Sequence, residues 1–161
     1  MNSTYRIGII VALLGLASCT RQDAAPPVDP QAVEDAAERK DLFGDRAAAP
    51  GIVWRTSGLG VRILQPGEGA LLRMEDRVRV HYTGTLKDGT VFDSSRTKGK
   101  PADFPVKYLV PGLSVALTSL KSGAHAEIFI PPVLGYGNIR SGNIPANSSL
   151  IFDIEILAVN P

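Results

Sequence analysis

Short runs of alternating apolar and polar residues dominate the chain from residue 51 onward. The run at 77–82 (RVRVHY) and the longer run Leu150–Val159 (LIFDIEILAV) alternate with period two, which is typical of a strand with one buried face. Short apolar runs at 52–56, 61–64, 90–93 and His125–Ile130 predict further strands, with turns rich in Gly and Pro between them. The pattern therefore predicts five or six short strands.

Within residues 51–161, only residues 112–121 (GLSVALTSLK) have the periodicity of a helix. Their apolar residues recur at i, i+3, i+4 and i+7 and form a single stripe, Leu113, Ala116, Leu117 and Leu120. Gly123 follows shortly after, where a helix commonly ends. One helix combined with several short strands predicts an α+β fold, in which an antiparallel sheet curves around the helix.

Residues 1–18 have the pattern of a targeting signal. A start with one positive charge, Arg6, precedes an unbroken apolar run at 7–17, which is shorter than the ~20 residues that a membrane-spanning helix needs. The run ends in LASC, which resembles the bacterial lipobox, so we expect a lipoprotein signal peptide over 1–18 and a lipid anchor on Cys19. Thr20, which stands where an aspartate would be a retention signal, favours the outer membrane facing the periplasm. An ordinary signal peptide is the alternative.

Residues 19–50 differ in composition from the rest, being rich in Ala, Pro and charged side chains. A short helix over 29–44 is predicted, with Asp29 as N-cap, Pro30 at the first position and Gly44 as terminator. We interpret the segment as a lipidated tether that spaces the domain at 51–161 from the membrane. The alternative is a dimerising helix, suggested by its large apolar residues Val33, Leu42 and Phe43.

Composition excludes several classes of function. The 17 basic and 16 acidic residues give a formal net charge of +1, too little to recruit nucleic acid. One cysteine and two histidines exclude an intrachain disulfide and a metal site built on several thiolates or imidazoles. No nucleotide-binding loop or nucleophile elbow is present, and both histidines, His81 and His125, lie on predicted strands as surface residues. We therefore expect no cofactor, no metal and no acid–base catalysis.

Four stretches together are specific to one family. They are VRVHYTGTLKDGTVFDSS at 78–95, LVPGLSVAL at 109–117, GYG at 135–137 and IPANSSLIFDIEIL at 144–157. With them, residues 51–161 resemble the FKBP-type peptidyl-prolyl cis-trans isomerase domain, particularly its exported bacterial members. The resemblance implies a curled antiparallel sheet wrapped around one short helix, isomerisation of X–Pro bonds in exported polypeptides, and macrolides as possible inhibitors.

The resemblance also implies a set of site residues. The catalytic positions of the family correspond to Tyr82, Phe92, Asp93, Val110, Tyr136 and Phe152. Three further residues correspond to its substrate pocket, Leu109, Leu113 and Ile144, and the backbone N–H of Val110 corresponds to the donor that binds the substrate carbonyl. Leu113 replaces a frequent tryptophan floor and Ala102 a frequent phenylalanine wall, so a shallower and wider pocket is expected.

Two other functions remain open on the sequence. A domain of this fold could bind proline-containing or unfolded segments as a chaperone without isomerising them, and the changes at Leu113 and Ala102 favour that alternative. A structural lipoprotein that assembles through its tether is the other. We expect a monomer, which distinguishes the isomerase and the binding module from the structural lipoprotein.

Overall fold

The computed structural model describes residues 30–161, so the predicted signal peptide and Cys19 lie outside the described residues. Within these residues the chain forms two α-helices, α1 (Pro30–Phe43) and α2 (Pro111–Leu117), and one seven-stranded sheet. The strands are β1 (Ile52–Trp54), β2 (Gly60–Gln65), β3 (Arg77–Leu86), β4 (Val91–Ser94), β5 (Ala102–Pro105), β6 (His125–Ile130) and β7 (Leu150–Val159). Three short 3-10 helices follow α1, β5 and β6, at Gly44–Ala48, Val106–Tyr108 and Pro132–Leu134.

The sheet is antiparallel throughout, in the order β1-β2-β6-β7-β3-β4, and β5 pairs with the first half of β3. The predicted α+β class and its curved sheet are confirmed. The sheet has seven strands, one more than the six at the upper end of the prediction. The additional strand is β5 (ADFP), which is too short and too rich in turn-forming residues to show alternation. The turn before β4 is formed as predicted, with Gly89 at φ +88°.

Alternation along the two central strands gives the sheet two different faces. On β6 and β7 the even-numbered residues, such as Ile128 and Ile154, lie in the main core with α2. The odd-numbered residues point to the opposite face, where some are charged and others, Phe129 and Ile151, are fully buried. We call these the inner face and the outer face of the sheet. The inner face carries the core and a cleft, and part of the outer face is covered by α1.

Residues 30–50 are not a spacer, and the spacer interpretation is wrong for this part of the tether. The predicted helix is present and ends before Gly44, which adopts φ +65°, but its last residue, Phe43, is 0% exposed. Phe43 packs against Phe129, Ile151 and Trp54 on the outer face, which buries an aromatic ring that a free tether would leave in water. The predicted boundary at residue 51 therefore cuts through a packed unit. The same burial means that Phe43 is not available to a dimer interface, while Val33 is 53% exposed.

Polar contacts hold the same segment on the outer face. The Arg39 guanidinium lies 5.2 Å from the centroid of the Trp54 ring, and Arg46 forms an ion pair of 3.0 Å with Glu127 on β6. The ammonium of Lys87, in the turn after β3, donates a hydrogen bond to the carbonyl of Asp41. We refer to residues 30–48 as the strap. Within residues 30–161 no helix has the length and apolar character needed to cross a membrane.

Candidate functional site

A cavity of about 210 Å³ opens on the inner face between the sheet and the start of α2. Eight of the nine residues predicted for the site line it, namely Tyr82, Phe92, Asp93, Leu109, Val110, Leu113, Tyr136 and Phe152. They come from four separate segments of the sequence, which the curvature of the sheet brings together. Six lining residues were not predicted, Val78, Val80, Phe104, Tyr108, Leu117 and Ile154.

Ile144 is the predicted pocket residue that the structure places elsewhere. Its side chain is only 6% exposed and belongs to the main core, and it does not line the cavity. The backbone of Ile144 forms a pair of hydrogen bonds with Ser141 that closes the loop before β7. The structure thus places Ile144 in the main core and not among the residues that line the cavity, which differs from the predicted position on the rim of the pocket.

Aromatic rings form the walls of the cavity. Phe92 and Phe152 meet edge to face, with centroids 5.6 Å apart and an interplanar angle of 81°. Tyr82 lies 6.3 Å from Phe152 and 5.7 Å from Phe104. Gly84 is required behind this wall, because a Cβ at that position would lie 2.4 Å from the Phe92 ring. Rings packed in this way hold one another in place and present a rigid apolar surface.

A phenylalanine that was not predicted for the site, Phe104, lies on the same strand as Ala102. Both residues are on β5, where Ala102 pairs with Val80 and Phe104 with Val78, so the two side chains share the inner face. Phe104 contacts Tyr82 and lines the cavity, so an aromatic ring is present on this side of the cleft. Alternation with period two could have identified Phe104, had β5 been recognised as a strand. Leu113, predicted for the floor of the pocket, is 5% exposed and lines the cavity.

One carboxylate faces this apolar cavity and is held by three donors. The Tyr82 hydroxyl donates to Asp93 at 2.5 Å, the Lys98 ammonium at 2.5 Å and the Ser94 N–H at 2.9 Å. Partial burial acts to raise the pKa of Asp93, but the hydrogen bonds from Lys98 and Tyr82 outweigh it, so this pKa lies below the ordinary value. Desolvation and the hydrogen bond to Asp93 raise the pKa of Tyr82. Asp93 is therefore ionised and Tyr82 protonated at neutral pH, and their geometry is fixed.

A backbone N–H without an acceptor in the described part of the chain also belongs to a residue of the cavity lining, Val110. The Val110 carbonyl accepts the N–H groups of Leu113 and Ser114 at the start of α2. The Val110 N–H has no acceptor among residues 30–161, although the residue lines the cavity. A backbone N–H next to an apolar cavity is costly unless it is hydrated or bound, so a ligand carbonyl would satisfy it.

The two histidines lie outside the cleft. The His81 Nδ1 is 3.1 Å from the Ser95 hydroxyl, and the His125 Nε2 is 3.1 Å from Asp153, both on the outer face. Neither ring lines the cavity. No group of three His, Cys, Asp or Glu side chains in the described part of the chain could hold a metal ion. The cleft thus offers an apolar binding surface that excludes water, with hydrogen-bonding groups at its edge.

A curled antiparallel sheet around a short helix, with a solvent-open aromatic cleft between them, defines the class of this domain. Comparison with known proteins gives the particular family. The family model for FKBP-type peptidyl-prolyl cis-trans isomerases matches residues 69–157, which is more than half of the chain. The chain therefore belongs to this family, and the resemblance noted from its motifs is confirmed.

Individual relatives show how far the similarity extends. The chain is 46% identical over 125 residues to the FKBP-type 22 kDa peptidyl-prolyl cis-trans isomerase of Escherichia coli, covering 77% of this chain and 61% of that protein. It is 42% identical over 130 residues to the outer membrane protein MIP of Legionella longbeachae, covering 80% and 56%. The crystal structure of FkpA from Escherichia coli superposes with a TM-score of 0.72 at 36% identity, covering 81% of this chain and 62% of that one. The chain thus spans roughly three fifths of the length of these relatives.

Proposed function

We propose that the protein is a peptidyl-prolyl cis-trans isomerase that acts on X–Pro bonds of exported polypeptides and assists their folding. The observation that carries the proposal is the cleft itself: an aromatic cavity lined by Val110, whose N–H has no acceptor among residues 30–161, and by the ionised Asp93, which Tyr82 holds in place. A proline ring has the size and apolar character that such a cavity accepts. The carbonyl of a bound peptide would accept the Val110 N–H.

The reduction of the rotation barrier that catalysis requires favours a mechanism in which the environment of the X–Pro peptide bond lowers that barrier. Rotation about the peptide bond crosses a barrier of ~18–20 kcal/mol and takes tens of seconds or longer. Bringing this to milliseconds lowers the barrier by about 7 kcal/mol, at 1.36 kcal/mol per factor of ten. One hydrogen bond, at ~0.5–1.5 kcal/mol, supplies only a part. The remainder must come from a surrounding that favours the twisted amide over the planar one.

An apolar, dry cleft provides that preference. The planar amide has a large dipole, which water stabilises, and the amide twisted by about 90° has lost much of its resonance and its dipole. Phe92, Leu113 and Phe152 exclude water from the bond and so destabilise the planar state relative to the twisted one. Tyr136, 40% exposed at the edge of the cleft, and the Val110 N–H hold the peptide in place. No proton is transferred and no covalent bond forms, which suits a site without a nucleophile.

We place the protein in the bacterial cell envelope, attached through a lipid on Cys19. The support is the LASC motif and the name of the Legionella longbeachae relative, outer membrane protein MIP. Removal of 1–18 takes away Arg6 and no acidic residue, leaving 16 basic and 16 acidic residues, so attachment would depend on acyl chains. Replacing Cys19 by Ser should abolish labelling by a fed fatty acid and release the protein from the membrane fraction. Acylation that persists in Cys19→Ser would refute the anchor.

The activity is tested by isomerisation of a proline tetrapeptide coupled to a protease that cleaves only the trans form. Residues 20–161, made without the lipid, retain the complete strap and should accelerate the reaction in proportion to their concentration. Val53→Ala serves as control, because this exposed residue of β1 is remote from the cleft lining. Binding of the peptide without acceleration would show a non-catalytic binding module instead.

A further inference from the structure

Tyr108 is the most exposed of the residues that line the cleft. Its side chain is 76% exposed, although its neighbours along the chain, Leu109 and Val110, are partly buried in the same wall. An exposed aromatic ring at the mouth of a cleft is available to contact a ligand that extends beyond the cavity. Tyr108 is two residues from the free Val110 N–H, so the ring lies beside the path of a peptide bound there.

The turn that carries Tyr108 is rigid. Val106, in the same 3-10 helix, is 0% exposed, and its N–H donates to the Asp76 carbonyl at 2.9 Å. Its carbonyl accepts the Ser114 hydroxyl at 2.7 Å from within α2. These contacts fix the position of the turn on both sides, so Tyr108 and Lys107 keep a defined place at the mouth.

Lys107 places a positive charge on that ring. Its ammonium lies 5.0 Å from the centroid of Tyr108, within the range of a cation–π contact. In the described part of the chain, Lys107 forms no ion pair, whereas Lys98, on the other side of the cleft, is paired with Asp93. The charge of Lys98 is thus neutralised by its partner, and the charge of Lys107 is available to a ligand.

We propose that Lys107 and Tyr108 form a specificity-determining pair that favours substrates with an acidic residue next to the proline. The inference rests on the proposed isomerase function and names the substrates that this site would prefer. A peptide that places proline in the cavity and its carbonyl on Val110 passes its flanking residue over the Tyr108 ring. A carboxylate there meets the ammonium of Lys107, and a lysine there is repelled by it. The ring holds the ammonium close to the mouth, which lowers the entropic cost of the contact.

The expected preference is small, because the pair is exposed. Ion pairs between exposed groups contribute about 0.2–1 kcal/mol, equivalent to about 1.4- to 5-fold in rate or affinity. We therefore expect kcat/KM for a glutamate peptide to exceed that of its glutamine analogue by about two- to fivefold at low salt. Since salt screens exposed charges, the ratio should fall towards one at about 1 M salt, where the screening length is about 3 Å.

The experiment uses tetrapeptides with Glu, Gln or Lys either directly before or directly after the proline, and an NMR exchange readout that needs no protease. In the unaltered protein the order at one of the two positions should be Glu, then Gln, then Lys. Lys107→Gln should bring the Glu to Gln ratio to about one, and Tyr108→Ala should reduce it by freeing the ammonium. Lys121→Gln, which removes an exposed lysine remote from the cleft, should keep the ratio of the unaltered protein. Comparing ratios within each variant removes effects on folding.

The outcomes separate the two proposals. Isomerisation of the Gln peptides without any preference for Glu overturns the specificity pair and leaves the isomerase function intact. A preference that persists in Lys107→Gln, or that is lost equally in Lys121→Gln, also overturns it. Absence of isomerisation with every peptide refutes the proposed function and with it the inference.

Discussion

The two faces of the sheet each carry a cluster of aromatic rings, and only one of them is a candidate site. On the outer face, Phe43, Trp54 and Phe129 lie with their centroids 5.5–5.6 Å apart. On the inner face, the corresponding distances among the rings of the cleft are 5.6–6.3 Å. Ring packing is therefore nearly the same in both clusters. They differ in what covers them and in the polar groups at their edges.

The outer cluster is closed by the strap. Phe43 and Phe129 are 0% exposed, and the charged groups around them are paired, with Arg46 and Arg62 both bound to Glu127 at 3.0 Å. The inner cluster opens to solvent, with a free N–H at Val110 and a carboxylate at Asp93. Aromatic clustering alone thus does not indicate a site. The opening and the available donor distinguish the site from the core, and the variants below test that distinction.

The largest effect is expected when the strap loses its anchor. Phe43→Ala removes a fully buried ring and should reduce the free energy of unfolding by about 3–5 kcal/mol, measured by urea denaturation. With a total stability of about 5–15 kcal/mol, the remaining stability ranges from about zero to about 12 kcal/mol, so the folded fraction is measured and activity per folded molecule should be retained. Val33→Ala on the exposed side of the same helix should change the stability by less than about 0.5 kcal/mol. A loss below about 1 kcal/mol for Phe43→Ala would mean that the strap does not close the outer cluster in solution.

A matched pair of substitutions on neighbouring strands tests the difference between the clusters directly. Phe152→Ala should admit water to the cleft and lower kcat/KM about 10- to 100-fold, a loss of about 1.4–2.7 kcal/mol of transition-state stabilisation. Phe129→Ala should lower the free energy of unfolding about as much as Phe152→Ala does. It should not lower activity per folded molecule, because its ring faces the strap. Circular dichroism and unfolding curves must accompany both assays. A folded Phe152→Ala with full activity would show that the reaction takes place elsewhere.

The sequence predicts the inner face well and the outer face poorly, for a physical reason. Period two on β3, β6 and β7 indicates which residues share a face, and the four motifs locate most of the cleft. The strap was misjudged because its helix is short and mostly polar, and its few apolar residues do not show which surface they cover. Packing of Phe43 depends on Trp54, Phe129 and Ile151, contacts between residues far apart in sequence. Similarly, Ile144 follows a turn with no periodic pattern around it, so the sequence does not show that its side chain joins the core.

A smaller effect is expected from enlarging the floor of the cleft. Leu113→Trp adds an aromatic surface to a cavity of about 210 Å³ and should increase the affinity for a macrolide that mimics proline. Leu113 is already 5% exposed and packed in the core, so overpacking offsets part of the gain. We expect about a fivefold tighter Kd, or ~1 kcal/mol, by isothermal titration calorimetry. Unchanged macrolide binding in a well-folded Leu113→Trp would remove this residue from the pocket. Val115→Trp, on the more exposed side of α2, is the control.

The smallest effect concerns pH, and its sign follows from the two groups at the edge of the cleft. Because the pKa of Asp93 is depressed in the folded protein, the ionised carboxylate stabilises the fold at pH values above the ordinary Asp pKa of about 3.9. This stabilisation is lost as the pH falls through the depressed value. The pKa of Tyr82 is raised, so its hydroxyl keeps its proton through neutral pH and the hydrogen bond to Asp93 persists. kcat/KM should therefore be constant between about pH 6 and 8 and decrease about two- to threefold only in strong acid. Asp93→Asn, whose amide oxygen can still accept from Tyr82, should lack this acid limb. NMR exchange spectra at matched folded fraction measure both profiles. A bell-shaped profile near neutral pH would instead assign a role to His81 or His125, and would contradict a mechanism without proton transfer.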